Sequence, residues 1–243
     1  GLEACKARLL ARRGRPGLVG ANIGANKDSA DRIGDYLKGF NALAGLASYF
    51  TINVSSPNTP GLRGLQERDA LQTLLRRLVA ARAGAGRTGQ SPLLLKIAPD
   101  LDDAGLRDVV EVALETGIDG MIVSNTTIQR PRELQSARRH EQGGLSGRPL
   151  FVLSTRRLQE VYRLSQGRLP LIGVGGVASG ADAYAKIRNG ASLVQLYTAM
   201  IYAGPGLVRR IAGELAALLA RDGFGHVREA VGMDAQKDFT GED

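Results

Sequence analysis

Tryptophan is absent from this sequence, cysteine occurs once and histidine twice. The lone Cys5 can close no internal disulfide and has no neighbouring ligands for a metal site, which fits a reducing compartment. Neither His140 nor His226 has the partner pattern of a triad or a metal centre, and no acidic cluster suits a divalent ion. Aromatic residues are 5% of the chain, too few for nucleic-acid binding through stacked rings. No stretch reaches the roughly 18 apolar residues that span a bilayer, and no secretory signal is visible. The sequons Asn53-Val54-Ser55 and Asn125-Thr126-Thr127 are therefore not read as glycosylation sites.

What is present is an ordinary globular composition with a basic bias. The 243 residues carry 32 Lys+Arg against 24 Asp+Glu, a net charge of +8. The arginines are scattered over helices, apart from pairs such as Arg12-Arg13, Arg138-Arg139 and Arg209-Arg210. That distribution suits a solvated surface or an anionic ligand better than one nucleic-acid stripe. The chain opens without Met, directly on a helical pattern around Leu2, Leu9 and Leu10, and that start reads as the middle of a domain.

One rhythm runs through the sequence: apolar strand, polar loop, amphipathic helix. Strands are expected at Gly17–Asn22, Tyr49–Asn53, Leu93–Ile97, Gly120–Ser124, Leu171–Val174 and Leu193–Tyr197, each a nearly continuous apolar run of the kind found in buried parallel sheets. Helices are expected at Ser29–Leu46, Gln66–Ala83, Asp102–Thr116, Leu150–Leu164, Gly180–Arg188 and Pro205–Leu219. The alternation predicts a parallel sheet, closed as a barrel or open and doubly wound. Polar residues at the C-terminal strand ends favour the barrel, because that rim is where barrel sites are built. The count is six strands, not eight, with the deficit at the N-terminus. The long polar connection Thr126–Gly147 reads as something like a lid.

Three segments carry the chemistry. Thr51 through Gly61 follows a strand, and its two prolines and glycine stiffen a loop bearing Asn53, Ser55, Ser56, Asn58 and Thr59. It is either an Asx/Ser turn capping the next helix or a site for a planar polar substrate. Lys96 lies inside an apolar strand, costly unless it pairs with a carboxylate such as Asp100 or faces a bound anionic group. Gly173, Gly175 and Ala178 loosely match a dinucleotide fingerprint. Their place in the penultimate unit, with Tyr197-Thr198-Ala199 after the next strand, favours a barrel phosphate site. Ser124-Asn125-Thr126-Thr127 and Gly143 through Gly147 are further strand-end or loop-end signals.

Read together, these segments resemble the dihydroorotate dehydrogenases, and more closely the class 2, quinone-reducing branch. Asn22 through Lys27, Asn53 through Arg63, Leu95 through Asp100, Asn125-Thr126-Thr127, Gly143 through Pro149, Gly173 through Gly180 and Tyr197-Thr198-Ala199 carry the resemblance in order along the chain. It implies a single barrel domain across residues 1–243, an FMN-binding (β/α)8 TIM barrel of which strands three to eight are here. It implies oxidation of dihydroorotate to orotate in pyrimidine synthesis, with quinone as acceptor. Ser56 is implied as the base that removes the C5 proton, where class 1 enzymes use Cys. Asn53, Asn58, Asn125 and Thr126 would bind the orotate ring. Asn22, Asn53, Lys96 and Ser124 would line the flavin, and Gly147, Gly176, Tyr197 and Thr198 would take its ribityl and phosphate end. No metal and no nucleic acid are implied.

The resemblance also sets an expectation of absence. The family's membrane-associating helices, its first two strands, a flavin-contacting Lys and an Asn-rich substrate loop have no counterpart in these residues. They would seat the protein peripherally on the cytoplasmic face of a bacterial inner membrane, whereas the present residues alone read as soluble. Six strands would leave two sheet edges open, so the chain alone is expected to bind FMN poorly and not to turn over. The remaining readings are a non-catalytic fragment and a class 1 or dihydropyrimidine-type flavin barrel, the latter disfavoured by Ser56 and the lone Cys5.

Overall fold

A computed structural model of the chain describes residues 1–86, 90–237 and 239. Six parallel strands form one curled sheet in strict chain order: β1 Gly20–Ile23, β2 Tyr49–Asn53, β3 Leu93–Ile97, β4 Gly120–Val123, β5 Leu171–Val174 and β6 Leu193–Gln195. Helices α1 Leu2–Ala11, α2 Arg32–Leu43, α3 Arg68–Gly84, α4 Asp103–Thr116, α5 Phe151–Ser165, α6 Gly180–Arg188 and α8 Leu207–Arg221 succeed one another around one face. This is the strand–helix succession of a barrel wall, as the alternation predicts.

Alternation within each strand decides what faces the helices. In β3 Leu93, Leu95 and Ile97 are fully buried beneath the helical layer, while Leu94 and Lys96 point to the other face. α4 shows how a helix is cut to fit. The Asp102 carboxylate accepts from the Gly105 N–H at 2.8 Å to cap the first turn, Leu106, Val109, Val110 and Ala113 form the buried stripe, and Gly117 ends it. Phe40 of α2 and Phe50 of β2 meet in the core with ring centroids 4.8 Å apart and planes tilted by 54°.

Several boundaries differ from the expected ones for local reasons. β1 starts at Gly20, not Gly17, because the Arg12 guanidinium donates to the carbonyl of Pro16 at 2.6 Å and holds that stretch as a loop. α2 starts at Arg32, not Ser29, where the Asp31 side chain caps the Gly34 N–H. The sixth strand stops at Gln195 because the short helix α7, Thr198–Ala203, begins directly after Tyr197. A second short helix, α9 Val227–Ala230, lies beyond the expected set. His226 is its cap, its Nδ1 accepting from the Arg228 N–H at 3.1 Å while Glu229 reaches back to the His226 N–H.

Candidate active site

Strand register brings the polar residues together. Asn53 at the end of β2 is the partner of Lys96 on β3, and Lys96 is in turn the partner of Ile122 on β4, so Asn53 and Lys96 share the face turned away from the helices. Just beyond β4, Asn125 donates from Nδ2 to Asn53 Oδ1 at 3.2 Å and to Ser55 Oγ at 3.0 Å. Ser55 Oγ passes its own hydrogen to the Lys96 carbonyl at 2.8 Å. The Tyr36 hydroxyl holds the Asn53 carbonyl at 2.7 Å from behind; burial pushes its pKa up, so it stays a donor. Three strand ends are thus tied into one neutral hydrogen-bond network.

Lys96 does not pair with Asp100. That carboxylate is taken by Arg63 Nη1 at 2.9 Å and also accepts from the Thr127 hydroxyl and the Ile128 N–H. The same Arg63 donates to the carbonyls of Ser55 at 3.2 Å and Thr126 at 3.2 Å. One guanidinium therefore locks the loop after β2 to the loop after β4. Lys96 is left half-buried without a carboxylate partner among the described residues, and burial alone lowers its pKa. An unpaired ammonium at that depth favours an anionic visitor.

Ser56 stands apart from its buried neighbour. It is half-buried, and its Oγ accepts from the Asn58 N–H at 3.3 Å. Asn58 is exposed. The expected lid is anchored over this loop: Thr127 and Leu145 bridge its two ends, and Arg130 ties the span together by donating to the carbonyls of Ile128, Gln129, Arg139, Glu141 and Gly143. Its far end packs so closely that a Cβ on Gly144 would run into Thr126 Oγ1 and approach Pro57.

From this network a cavity of about 580 Å³ runs toward the last two strands. Lys96, Ser124, Asn125 and Thr126 line one end, and Ser146, Gly147, Gly176, Tyr197 and Thr198 line the other. Thr198 Oγ1 donates to Ser146 Oγ at 3.0 Å. Gly176 sits at φ +77°, and a Cβ there would lie 2.8 Å from the Phe151 nitrogen at the start of α5, so only glycine lets the turn settle on the helix. Neither Asn22, exposed on β1, nor Asn53 lines this cavity; Asn53 reaches it only through Asn125.

A family model described as dihydroorotate dehydrogenase matches residues 1–219. The chain belongs to the dihydroorotate dehydrogenase family. It is 61% identical over 234 residues to the dihydroorotate dehydrogenase (quinone) of Parvibaculum lavamentivorans, covering 96% of this chain and 66% of that protein. It is 55% identical to the dihydroorotate dehydrogenase (quinone) of Xanthobacter autotrophicus, covering 97% and 67% respectively. A crystal structure of the Eimeria tenella dihydroorotate dehydrogenase in complex with ferulenol superposes with a TM-score of 0.89 at 41% identity, over 96% of this chain and 68% of that one. The chain thus spans about two thirds of the length of the relatives it matches.

Membership of the dihydroorotate dehydrogenase family brings a flavin as the redox group. The residues present suit one: a lysine with no carboxylate partner among the described residues at one end of the cavity, and a glycine cradle with two hydroxyls at the other. The strand-end motifs do not single out Arg63 or Ser146, nor Arg148 and Arg210, which line the cavity with the glycines. Arg63 belongs to the loop after β2, and Asp100, a candidate partner for Lys96 in the sequence, pairs with Arg63 instead. Their joint role depends on two loops meeting in space.

Proposed function

We propose that this chain carries the flavin- and substrate-binding rim of a quinone-linked dihydroorotate dehydrogenase, which oxidises dihydroorotate to orotate in pyrimidine synthesis. The observation that carries this reading is the single cavity joining the Lys96–Asn125 end to the Gly176–Thr198 end, with the Asn53–Ser55–Asn125 network at its polar mouth. FMN is the flavin that such a cavity fits, because a glycine turn with Ser146 and Thr198 beside it suits a phosphate.

Bound there, FMN would supply the hydride acceptor for C6 of the substrate. Lys96 would hold negative charge at the ring end of the flavin, and Ser124 would donate to it. Asn53, Asn125 and Thr126, with Asn58 from the facing loop, would hold the orotate ring through amide and hydroxyl pairs. Ser56 would take the C5 proton. Its hydroxyl is a weak base, and the hydrogen bond it receives from the Asn58 N–H favours the deprotonated oxygen. The Arg63 clamp keeps Ser55 and Thr126 in register, so the ring binders approach from two strands at fixed spacing.

Quinone as acceptor belongs to the same reading, supported by the names of the relatives, and a peripheral membrane seat is proposed with it because quinones are lipid-soluble. Among the described residues no helix is long and apolar enough to cross a membrane. The test is anaerobic and uses the chain joined to the part of the Parvibaculum lavamentivorans relative that it does not cover, since the chain alone is expected not to turn over: dihydroorotate added to the FMN-loaded protein should bleach the flavin absorbance, and a soluble quinone should restore it. A flavin that binds but is not reduced by dihydroorotate overturns the assignment of substrate.

A further inference from the structure

Lys186 is the most deeply buried charged side chain among the described residues, with no exposed surface, and the chemistry above does not use it. It lies on α6, behind the glycine turn. Its Nζ donates to Ser154 Oγ at 2.6 Å and stands 5.1 Å from the centre of the Phe151 ring. Burial presses its pKa well down, opposed only by the charge of Asp182. A lysine held this way needs a reason, since an apolar side chain of like volume would fill the space at less cost.

Ser154 supplies the link. Having accepted from Lys186, its one hydroxyl hydrogen is shared between the Gly175 carbonyl at 3.2 Å and the Phe151 carbonyl at 3.1 Å. The Gly175–Gly176 peptide is trans and planar, so its C=O and N–H point in opposite directions. Holding the carbonyl down against α5 therefore turns the Gly176 N–H outward, on the side where Gly176 lines the cavity. Both glycines have positive φ, +116° and +77°, and such a turn has no side chains of its own to fix that peptide plane.

We propose that Lys186 is a positioning residue for phosphate binding: through Ser154 it fixes the Gly175–Gly176 peptide so that the Gly176 N–H faces the phosphate of the flavin nucleotide. This rests on the reading of that turn as the phosphate end of the cavity. The role is indirect, and it concerns the phosphate alone, not the isoalloxazine ring.

The distinguishing measurement compares FMN with riboflavin, which lacks the phosphate. Dissociation constants for both are read by flavin fluorescence quenching on the full chain, the Lys186→Met variant and the Ser154→Ala variant. Circular dichroism confirms that each is folded. The unmodified chain should prefer FMN. In both variants that preference should fall about tenfold, the effect of one lost hydrogen-bond alignment, with riboflavin affinity unchanged within about twofold. If Lys186→Met does not fold, Ser154→Ala decides, since it leaves the lysine in place and breaks the same link. An unchanged preference, or an equal loss for both flavins, overturns the role of Lys186 and leaves the phosphate assignment standing. An unmodified chain with no preference for FMN removes the phosphate assignment itself, and the role of Lys186 with it.

Discussion

Asn125 and Asn53 reach each other across an intervening strand: Nδ2 of Asn125, just past β4, donates to Oδ1 of Asn53 at the end of β2 at 3.2 Å, over the top of β3. Asn125 Oδ1 faces the other way and accepts from the Thr126 N–H at 2.8 Å. An aspartate at 125 would keep the second bond and turn the first into a clash of acceptors beside Ser55 Oγ. Asn125→Asp should lower stability by about 1–3 kcal/mol, read as a shift in the urea midpoint at constant slope. Orotate binding should weaken at least tenfold in the same variant.

The adjacent serines separate structure from chemistry. Ser55 is fully buried and bonded to Asn53, Asn125 and the Lys96 carbonyl, whereas Ser56 is half-buried and, among the described residues, its hydroxyl bonds the Asn58 N–H alone. Ser55→Ala should cost about 1–2 kcal/mol of stability. Ser56→Ala should leave the unfolding midpoint nearly unchanged while slowing flavin reduction by dihydroorotate roughly 10²–10⁴-fold. Stopped-flow bleaching of the flavin measures that rate directly. Reduction by Ser56→Ala at the parent rate would take the base role from this residue.

That contrast shows what the sequence could and could not reveal. β2, β3 and β5 are bounded as expected because nearly continuous apolar runs end at or just before Asn, Pro or Gly. β1 and β6 are not, since Arg12 and the start of α7 are tertiary and local competitors that strand pattern does not register. The strand-end motifs are legible one at a time, and register then makes neighbours of Asn53 and Lys96. Invisible in one dimension are groups whose meaning depends on what lies across from them. Nothing beside Arg63 in the chain announces that Asp100, Ser55 and Thr126 surround it. Lys186 sits in a helix whose pattern does not announce that Ser154 and Phe151 close over it.

Lys96 should trade stability against binding. Its pKa is lowered by burial, so the unfolded chain holds the proton more tightly than the folded one. The folded state is then penalised at pH values below the lowered pKa, and the penalty fades as pH rises through it toward the ordinary lysine value. Lys96→Met should therefore make the flavin-free chain more stable at neutral pH, by on the order of 1 kcal/mol. The gain should shrink as pH rises into the alkaline range. The same substitution should weaken flavin binding, most of all for the reduced, anionic form, and so shift the flavin reduction potential downward. Thermal scans across pH and a potentiometric titration test the two halves separately.

The Arg63–Asp100 pair predicts that charge alone will not suffice. Asp100 is 10% exposed, and Arg63 divides its three nitrogens among Asp100, the Ser55 carbonyl and the Thr126 carbonyl. Removing the guanidinium leaves a nearly buried carboxylate with only the Thr127 hydroxyl and the Ile128 N–H. Arg63→Ala should cost about 3 kcal/mol, and Arg63→Lys should recover less than half of that. A lysine presents one nitrogen where three directions are needed. Urea titrations give the stability order, and orotate affinity should follow the same order if the clamp sets the spacing of the ring binders.

The C-terminal segment is fastened by a different pair. Asp234 accepts from Arg188 and from Lys237 Nζ, and Gln159 Nε2 donates to the Asp234 carbonyl at 3.2 Å. The Arg188 hydrogen bonds hold the Asp234 carboxyl at a pKa of about 2, below the ordinary 3.8. A carboxylate with a lowered folded pKa contributes stability that is fully present above its unfolded pKa and is lost as pH falls toward the folded one. The fastening should therefore hold at neutral pH and loosen between about pH 4 and about pH 2. Hydrogen exchange should show amides of residues 230–237 opening in that window before the strands do. Asp234→Asn should bring the opening to neutral pH, because a neutral amide holds the Arg188 guanidinium only weakly. If those amides stay as protected in Asp234→Asn as in the parent chain, the segment is held by its backbone contacts and not by Asp234.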